Sequence, residues 1–256
     1  MPTVSVKNNR QHLILTGPTG VGKTAIAIEA ALFLKAEYQL ELEIISADAR
    51  AVYPGVALAT ATPSLKEQKG VKHWGLAIAD SKTRFSVHDW QLYAQEKILE
   101  IEGRGREALI VGGTGLYVDA LAFAYQFRPE NKRQAVDRKA MRKDFRIMFA
   151  QRPRTEMRQR LEERARRLYQ QKSQLEKEYR QAQARFPVGH PIFSANAFVA
   201  LRASENEEDY VQKNARLDYQ LMRRQETWFR RNEQVIWVNA EEALSRVIAF
   251  YENMLK

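Results

Sequence analysis

Gly17-Pro-Thr-Gly-Val-Gly-Lys-Thr24 satisfies the phosphate-loop pattern G-x-x-x-x-G-K-S/T at every position. Its flanks agree. His12-Leu-Ile-Leu-Thr16 is an apolar run that reads as a buried strand, and Ala25 to Lys35 reads as a helix. A phosphate loop needs that strand–loop–helix setting. Glycines let the backbone curl so that its N–H groups face a diphosphate, and the helix N-terminus adds partial positive charge. Lys23 supplies a full charge, and the Thr24 hydroxyl is placed to ligate Mg²⁺. Gly17, Thr19, Gly20, Val21, Gly22, Lys23 and Thr24 are therefore the expected diphosphate-binding residues. The motif leaves open which phosphate compound binds and what reacts.

Working outward, Glu43-Ile-Ile-Ser-Ala47 reads as a second strand, ending at Asp48. Phe85 to Ile101 has helical periodicity. Ala108-Leu-Ile-Val111 is a third strand, and Gly112-Gly-Thr-Gly115 turns it into a helix over Leu116 to Tyr125. The alternation predicts an α/β fold, a phosphate-loop-type parallel sheet flanked by helices, with a small basic helical region. Ligands of such sheets bind at the carboxyl ends of the strands. The phosphate loop, Asp48 and Thr114 all fall there.

Further along, the pattern predicts a basic helix over Asn131 to Lys143 and a strand over Arg146 to Ala150. A single long helix from Thr155 to Tyr179 follows, with Thr155 as its cap, then a loop over Phe186 to Pro191. A helix over Tyr210 to Asn232, a strand over Gln234 to Val238 and a helix over Glu241 to Leu255 close the chain. Residues 1–127 thus form the first part of the core, 128–145 a short basic piece, and 146–256 the segment that completes the core.

The chain has 256 residues and no cysteine, which removes disulfides, thiolate metal sites and cysteine nucleophiles. No apolar stretch reaches the roughly 20 residues of a membrane span. Residues 1–10 lack an apolar signal core, so a cytoplasmic protein with no membrane partner is expected, and a monomer. The four histidines show no metal-ligand spacing and read as structural. The charge is uneven. Residues 128–185 hold 19 Lys/Arg against 8 Asp/Glu, a net of +11, while the whole chain carries +10. So one-sided a window repels itself unless something acidic lies against it, and nucleic acid is the usual partner. Arg138, Lys139, Arg142 and Lys143 are the expected contacts within it.

Four segments carry a resemblance. They are Gly17 to Thr24; Ile44-Ile-Ser-Ala-Asp-Ala-Arg-Ala-Val-Tyr53 with Gly55 and Thr60-Ala-Thr-Pro63; Val111-Gly-Gly-Thr-Gly-Leu-Tyr117; and Arg223-Arg-Gln-Glu-Thr-Trp-Phe-Arg230. In this order they resemble the tRNA dimethylallyltransferase family, in a compact form. The second is similar to I-I-S-A-D-S-R-Q-V-Y through G-T-A-K-P, and the fourth to K-R-Q-x-T-W-F-R. Arg160-Leu-Glu-Glu-Arg164 matches a family helix with arginines at the same spacing. There are departures. The family's D-S-R-Q is Asp48-Ala-Arg-Ala51 here, its G-T-A-K-P lysine is Thr62, and its helical insert is nearly absent.

The resemblance implies transfer of a dimethylallyl group from dimethylallyl diphosphate to N6 of an adenosine near the tRNA anticodon. Asp48 is then the general base on N6. Lys23 and the loop stabilise the leaving diphosphate, helped by Mg²⁺ on Thr24 and by Arg160 and Arg164. Thr114 hydrogen-bonds near the transferring carbon. Arg50, Arg223 and Arg224 face the tRNA anticodon stem-loop, as does the surface of 146–256. The alternatives are an adenylate isopentenyltransferase acting on free AMP, ADP or ATP, a small-molecule kinase, and a non-catalytic RNA-binding module.

Overall fold

The computed structural model describes residues 10–80, 85–127 and 140–255. Its centre is a six-stranded sheet in the order β3-β2-β4-β1-β5-β6, every neighbouring pair parallel. The strands are β1 (His12–Thr16), β2 (Leu42–Ser46), β3 (His73–Trp74), β4 (Glu107–Val111), β5 (Phe145–Gln151) and β6 (Ile236–Asn239). The expected α/β class is therefore observed. The last two strands join the same sheet as the first four.

Alternation along the strands explains why both faces are covered. Leu13 and Leu15 enter one apolar cluster and Ile14 the other; Leu109 and Val111 part from Ile110, and Met148 from Ile147 and Phe149, in the same way. Strands apolar on both faces belong to a sheet sandwiched between helices. On one side lie α1 (Lys23–Tyr38) and α9 (Ala240–Leu255), contributing Leu34, Val247 and Tyr251. On the other lie α3 (Val87–Gly103) and α4 (Gly115–Ala122), contributing Trp90, Ile98 and Leu121. Among the described residues, no helix is long and apolar enough to cross a membrane.

Two further helices, α5 (Arg154–Tyr169) and α8 (Glu207–Phe229), pack against each other and reach the phosphate loop. Gly20 marks the contact. Its φ of +80° suits glycine, and a Cβ there would sit 2.8 Å from a Leu161 methyl. The expected helix from Thr155 to Tyr179 is broken. Gln170 and Gln171 form a turn, after which α6 (Lys172–Arg185) runs separately. The turn lets Leu175, Glu178 and Ala182 bury toward α2 (Ala57–Thr60), which a straight helix would miss. Thr155 is not the cap either: Pro153 precedes the first turn, with its carbonyl bonded to the Met157 N–H at 3.0 Å. Of the expected basic helix, Asn131 to Lys139 lie outside the described residues, and Ala140 to Lys143 lead into β5 without helix. A 3-10 turn (Pro191–Ser194) and α7 (Asn196–Ala203) were not expected.

Candidate active site

The phosphate loop, the end of β2 and the turn after β4 meet in a crevice of about 280 Å³. Gly20, Gly22, Lys23 and Thr24 line it from β1, Asp48 from β2, Val111 to Gly113 from β4, and Thr60 to Pro63 from the end of α2. Arg164 of α5 and Gln225 of α8 complete the wall. A wider depression of about 480 Å³ between Gly55 and the end of α6 offers one charged side chain, Arg185, and no phosphate loop. It lacks the groups that chemistry would need.

Within the loop, Lys23 Nζ donates to the carbonyls of Gly17 and Pro18, both at 2.9 Å. Three arginines brace the loop. Arg160 Nε donates to the Gly20 carbonyl at 3.0 Å, Arg152 Nε to the Val21 carbonyl at 3.1 Å, and Arg164 to Thr19 Oγ1 at 2.6 Å. Gly17, Val21 and Arg160 thus shape the loop without lining the crevice. Burial pushes the Lys23 ammonium from its ordinary 10.5 down to about 8; Asp48 pulls it back up and Arg164 pushes it further down. A diphosphate placed beside it restores the charged form. Affinity for a diphosphate monoester should therefore fall by up to about tenfold per pH unit above pH 8, with a proton taken up on binding. Calorimetry in buffers of different ionisation enthalpy measures that uptake. Flat affinity from pH 7 to 9 in the wild type would show that Lys23 keeps one protonation state.

Asp48 holds its own turn with one oxygen. Oδ1 accepts from the Arg50 N–H at 2.8 Å and the Ala51 N–H at 3.3 Å. Oδ2 makes no hydrogen bond among the described residues, and the residue lines the crevice. The carboxylate is thus oriented by its turn with one oxygen spare, as a general base requires. Thr114 lies beside the lining: its Oγ1 accepts from the Ala49 N–H at 3.0 Å, and its own N–H donates to the Ala47 carbonyl at 3.1 Å. It ties the end of β2 to the turn after β4.

Metal binding has a modest donor set. No group of three or more His, Cys, Asp or Glu could hold an ion among the described residues. Mg²⁺ keeps most of its waters and takes one or two protein oxygens plus substrate phosphates. The exposed Thr24 hydroxyl fits that minimal role.

The cationic residues divide. Arg50 donates to the Ser194 carbonyl at 2.9 Å and lines a small polar annex of about 50 Å³ beside Asp48, Asn196 and Asp218. Burial lowers its pKa; Asp48 pulls it back up, and the charge of Arg224 adds to the fall. Arg223 and Arg224 are exposed on α8 one or two residues before Gln225. Arg142 and Lys143, the expected tRNA contacts, lie away from the crevice. They precede β5, whose first residue pairs with His12, so they sit at the amino ends of the strands. Arg142 is bound there by Asp144 through two nitrogens and lies over the Phe145 ring. Arg138 and Lys139 lie outside the described residues.

Sequence reasoning passed over four residues that the fold brings in: Arg152, Asn196, Asp218 and Gln225. A signal existed for α8. Asn214, Asp218, Leu221 and Gln225 recur at spacings of four, three and four, which places them on one face of the helix. That face lines the crevice and its annex.

Known proteins resemble part of this chain in sequence and nearly all of it in fold. Residues 51–146 match the family model described as IPP transferase. The tRNA dimethylallyltransferase of Bacillus velezensis is 41% identical over 139 residues, covering 54% of this chain and 42% of that protein. That of Bacillus subtilis is 40% identical over 126 residues, covering 49% and 38%. The match thus spans about two-fifths of the length of these curated relatives. A tRNA isopentenylpyrophosphate transferase of Bacillus halodurans superposes with a TM-score of 0.78 at 22% identity, covering 96% of this chain and 97% of that one. One from Staphylococcus epidermidis gives 0.76 at 19%, covering 96% and 99%. At these identities the structural likeness is one of fold.

Proposed function

We propose that this chain, a relative of the IPP transferases through residues 51–146, moves a dimethylallyl group from dimethylallyl diphosphate to N6 of an adenosine near a tRNA anticodon. One observation carries the reading: a cradle for a diphosphate and a turn-held carboxylate with a spare oxygen line the same crevice. A kinase would use the same cradle with Asp48 serving a hydroxyl, and consumption of ATP would reveal it.

The chemistry follows from the electron demand of each atom. The N6 lone pair is delocalised into the purine ring, so N6 attacks poorly until its proton begins to leave. Asp48 accepts that proton as the N6–carbon bond forms. The carbon–oxygen bond to diphosphate breaks in the same displacement, and the electron pair leaves with the diphosphate. Lys23 and the loop N–H groups meet the growing charge, and Arg164 keeps Thr19 in place. Mg²⁺, held by Thr24 when bound, would spread the same negative charge. Thr114 fixes the turn that faces the acceptor. Arg50, Arg223 and Arg224 form a cationic rim for RNA, and an adenosine reaching the crevice must leave its stack. Every group given a role here comes from one chain, so the reading calls for no more than a monomer, and a tRNA acceptor implies work in the cytoplasm.

A second reading, transfer to free adenosine nucleotides, gains from Arg142 and Lys143 lying at the far end of the sheet. Labelled dimethylallyl diphosphate offered with equal concentrations of bulk tRNA and AMP separates the two. Label should enter tRNA with Mg²⁺ and without ATP, at a rate that falls steeply with salt, since each phosphate contact releases about 0.7–0.9 counterion. Faster labelling of AMP would decide for the free nucleotide. Phosphate release from ATP with no prenyl transfer would make the protein a kinase.

A further inference from the structure

The carboxamide of Gln225 touches two loops at once. Its Oε1 accepts from the Thr19 N–H at 2.9 Å, and its Nε2 donates to the Gly113 carbonyl at 3.0 Å. Thr19 belongs to the phosphate loop. Gly113 belongs to the turn after β4 and directly precedes Thr114. The approach is close, since a Cβ on Gly113 would lie 2.3 Å from Nε2. Thr19 is held from the same helix by a second route: Arg164, on its Oγ1, lies 3.5 Å from Asp218, which accepts from Asn196 at 2.7 Å. Asp218 and Gln225 are seven residues apart, two turns along one face of α8.

We propose that Gln225 is a positioning residue for the transfer: it sets the separation between the loop that holds the leaving group and the turn that faces the acceptor. This rests on the prenyl-transfer reading. The demand on the side chain is specific. It must accept at one end and donate at the other of a single planar group. Glutamate has no donor for Gly113 and brings negative charge to a diphosphate site. Leucine keeps the size and makes neither bond. Displacement reactions are steep in geometry, and a misplacement of about 1 Å costs on the order of 10²-fold.

Gln225→Leu and Gln225→Glu test this with four measurements: transfer kinetics, calorimetric binding of dimethylallyl diphosphate, thermal melting, and amide hydrogen exchange over residues 17–22 and 110–116. Gln225→Leu should lower kcat by about 10–100-fold, with donor Kd changed less than about threefold and melting within a few degrees. Exchange should rise in both loops together. Gln225→Glu should lower kcat as much and also weaken donor binding. Retained kcat in Gln225→Leu would overturn the proposal. So would donor Kd rising in step with the loss of rate, which would make Gln225 a diphosphate contact, or a rise in exchange in one loop alone. Should the wild type transfer no prenyl group to either acceptor, the function reading falls, and paired exchange alone decides whether Gln225 ties the loops.

Discussion

Asp48→Ala should slow prenyl transfer by about 10²–10⁴-fold while donor Kd stays within a small factor of wild type. The asymmetry is what identifies a base. A group that takes a proton from the acceptor does nothing for the donor, which in the proposed reaction is held across the crevice by Lys23 and backbone N–H groups. Asp48 also holds its turn through the Arg50 and Ala51 N–H groups, so alanine removes a structural bond as well. Asp48→Asn separates the two roles. Its amide oxygen can still accept both N–H bonds, but the side chain cannot act as a base. Asn should therefore keep the turn and the melting temperature and be as slow as Ala. An active Asn variant would remove Asp48 from the proton transfer and leave it as a turn residue.

Lys23→Met should weaken binding of dimethylallyl diphosphate by about 10²–10³-fold and lower turnover further, because a charge-assisted contact in a desolvated cradle is lost. Methionine keeps the length and flexibility of the stem. Lys23 is bonded to the Gly17 and Pro18 carbonyls, so its removal also frees two acceptors. Melting of the ligand-free protein is the control for that effect. Calorimetry showing donor Kd within threefold of wild type would mean that the diphosphate is held elsewhere, and the phosphate loop would lose its assigned place in the reaction.

What could be read in advance was what is local. The phosphate loop, three strands ending at polar residues and the helices between them are contiguous patterns whose periodicity survives without knowledge of the fold. Asp48 was legible because it terminates an apolar run. Gln225 was visible only as one letter in a resemblance, because its partners are 206 and 112 residues away and nothing near it announces them. The break at Gln170–Gln171 was hidden for another reason. It has neither glycine nor proline, and tertiary packing of Leu175 and Ala182 overrides two good helix formers. Arg142 and Lys143 show the limit of counting charge. A window sum carries no direction, and a parallel sheet sends its two ends to opposite sides of the molecule. The carboxylate two residues on, Asp144, was the available sign that Arg142 already had a partner.

The bond from Thr19 to Gln225 also bears on the order of synthesis. β1 lies inside the sheet, yet its neighbours β4 and β5 and the α8 face beyond them emerge from the ribosome roughly one hundred to two hundred residues later. A nascent chain therefore carries a complete phosphate motif long before it has a crevice. Translation halted anywhere ahead of α8 would yield a polypeptide that scores as a phosphate binder by pattern and has neither the Arg164–Asp218 pair nor the carboxamide between its loops. For this protein the motif is an early instalment of the site, and competence arrives with the final quarter of the chain.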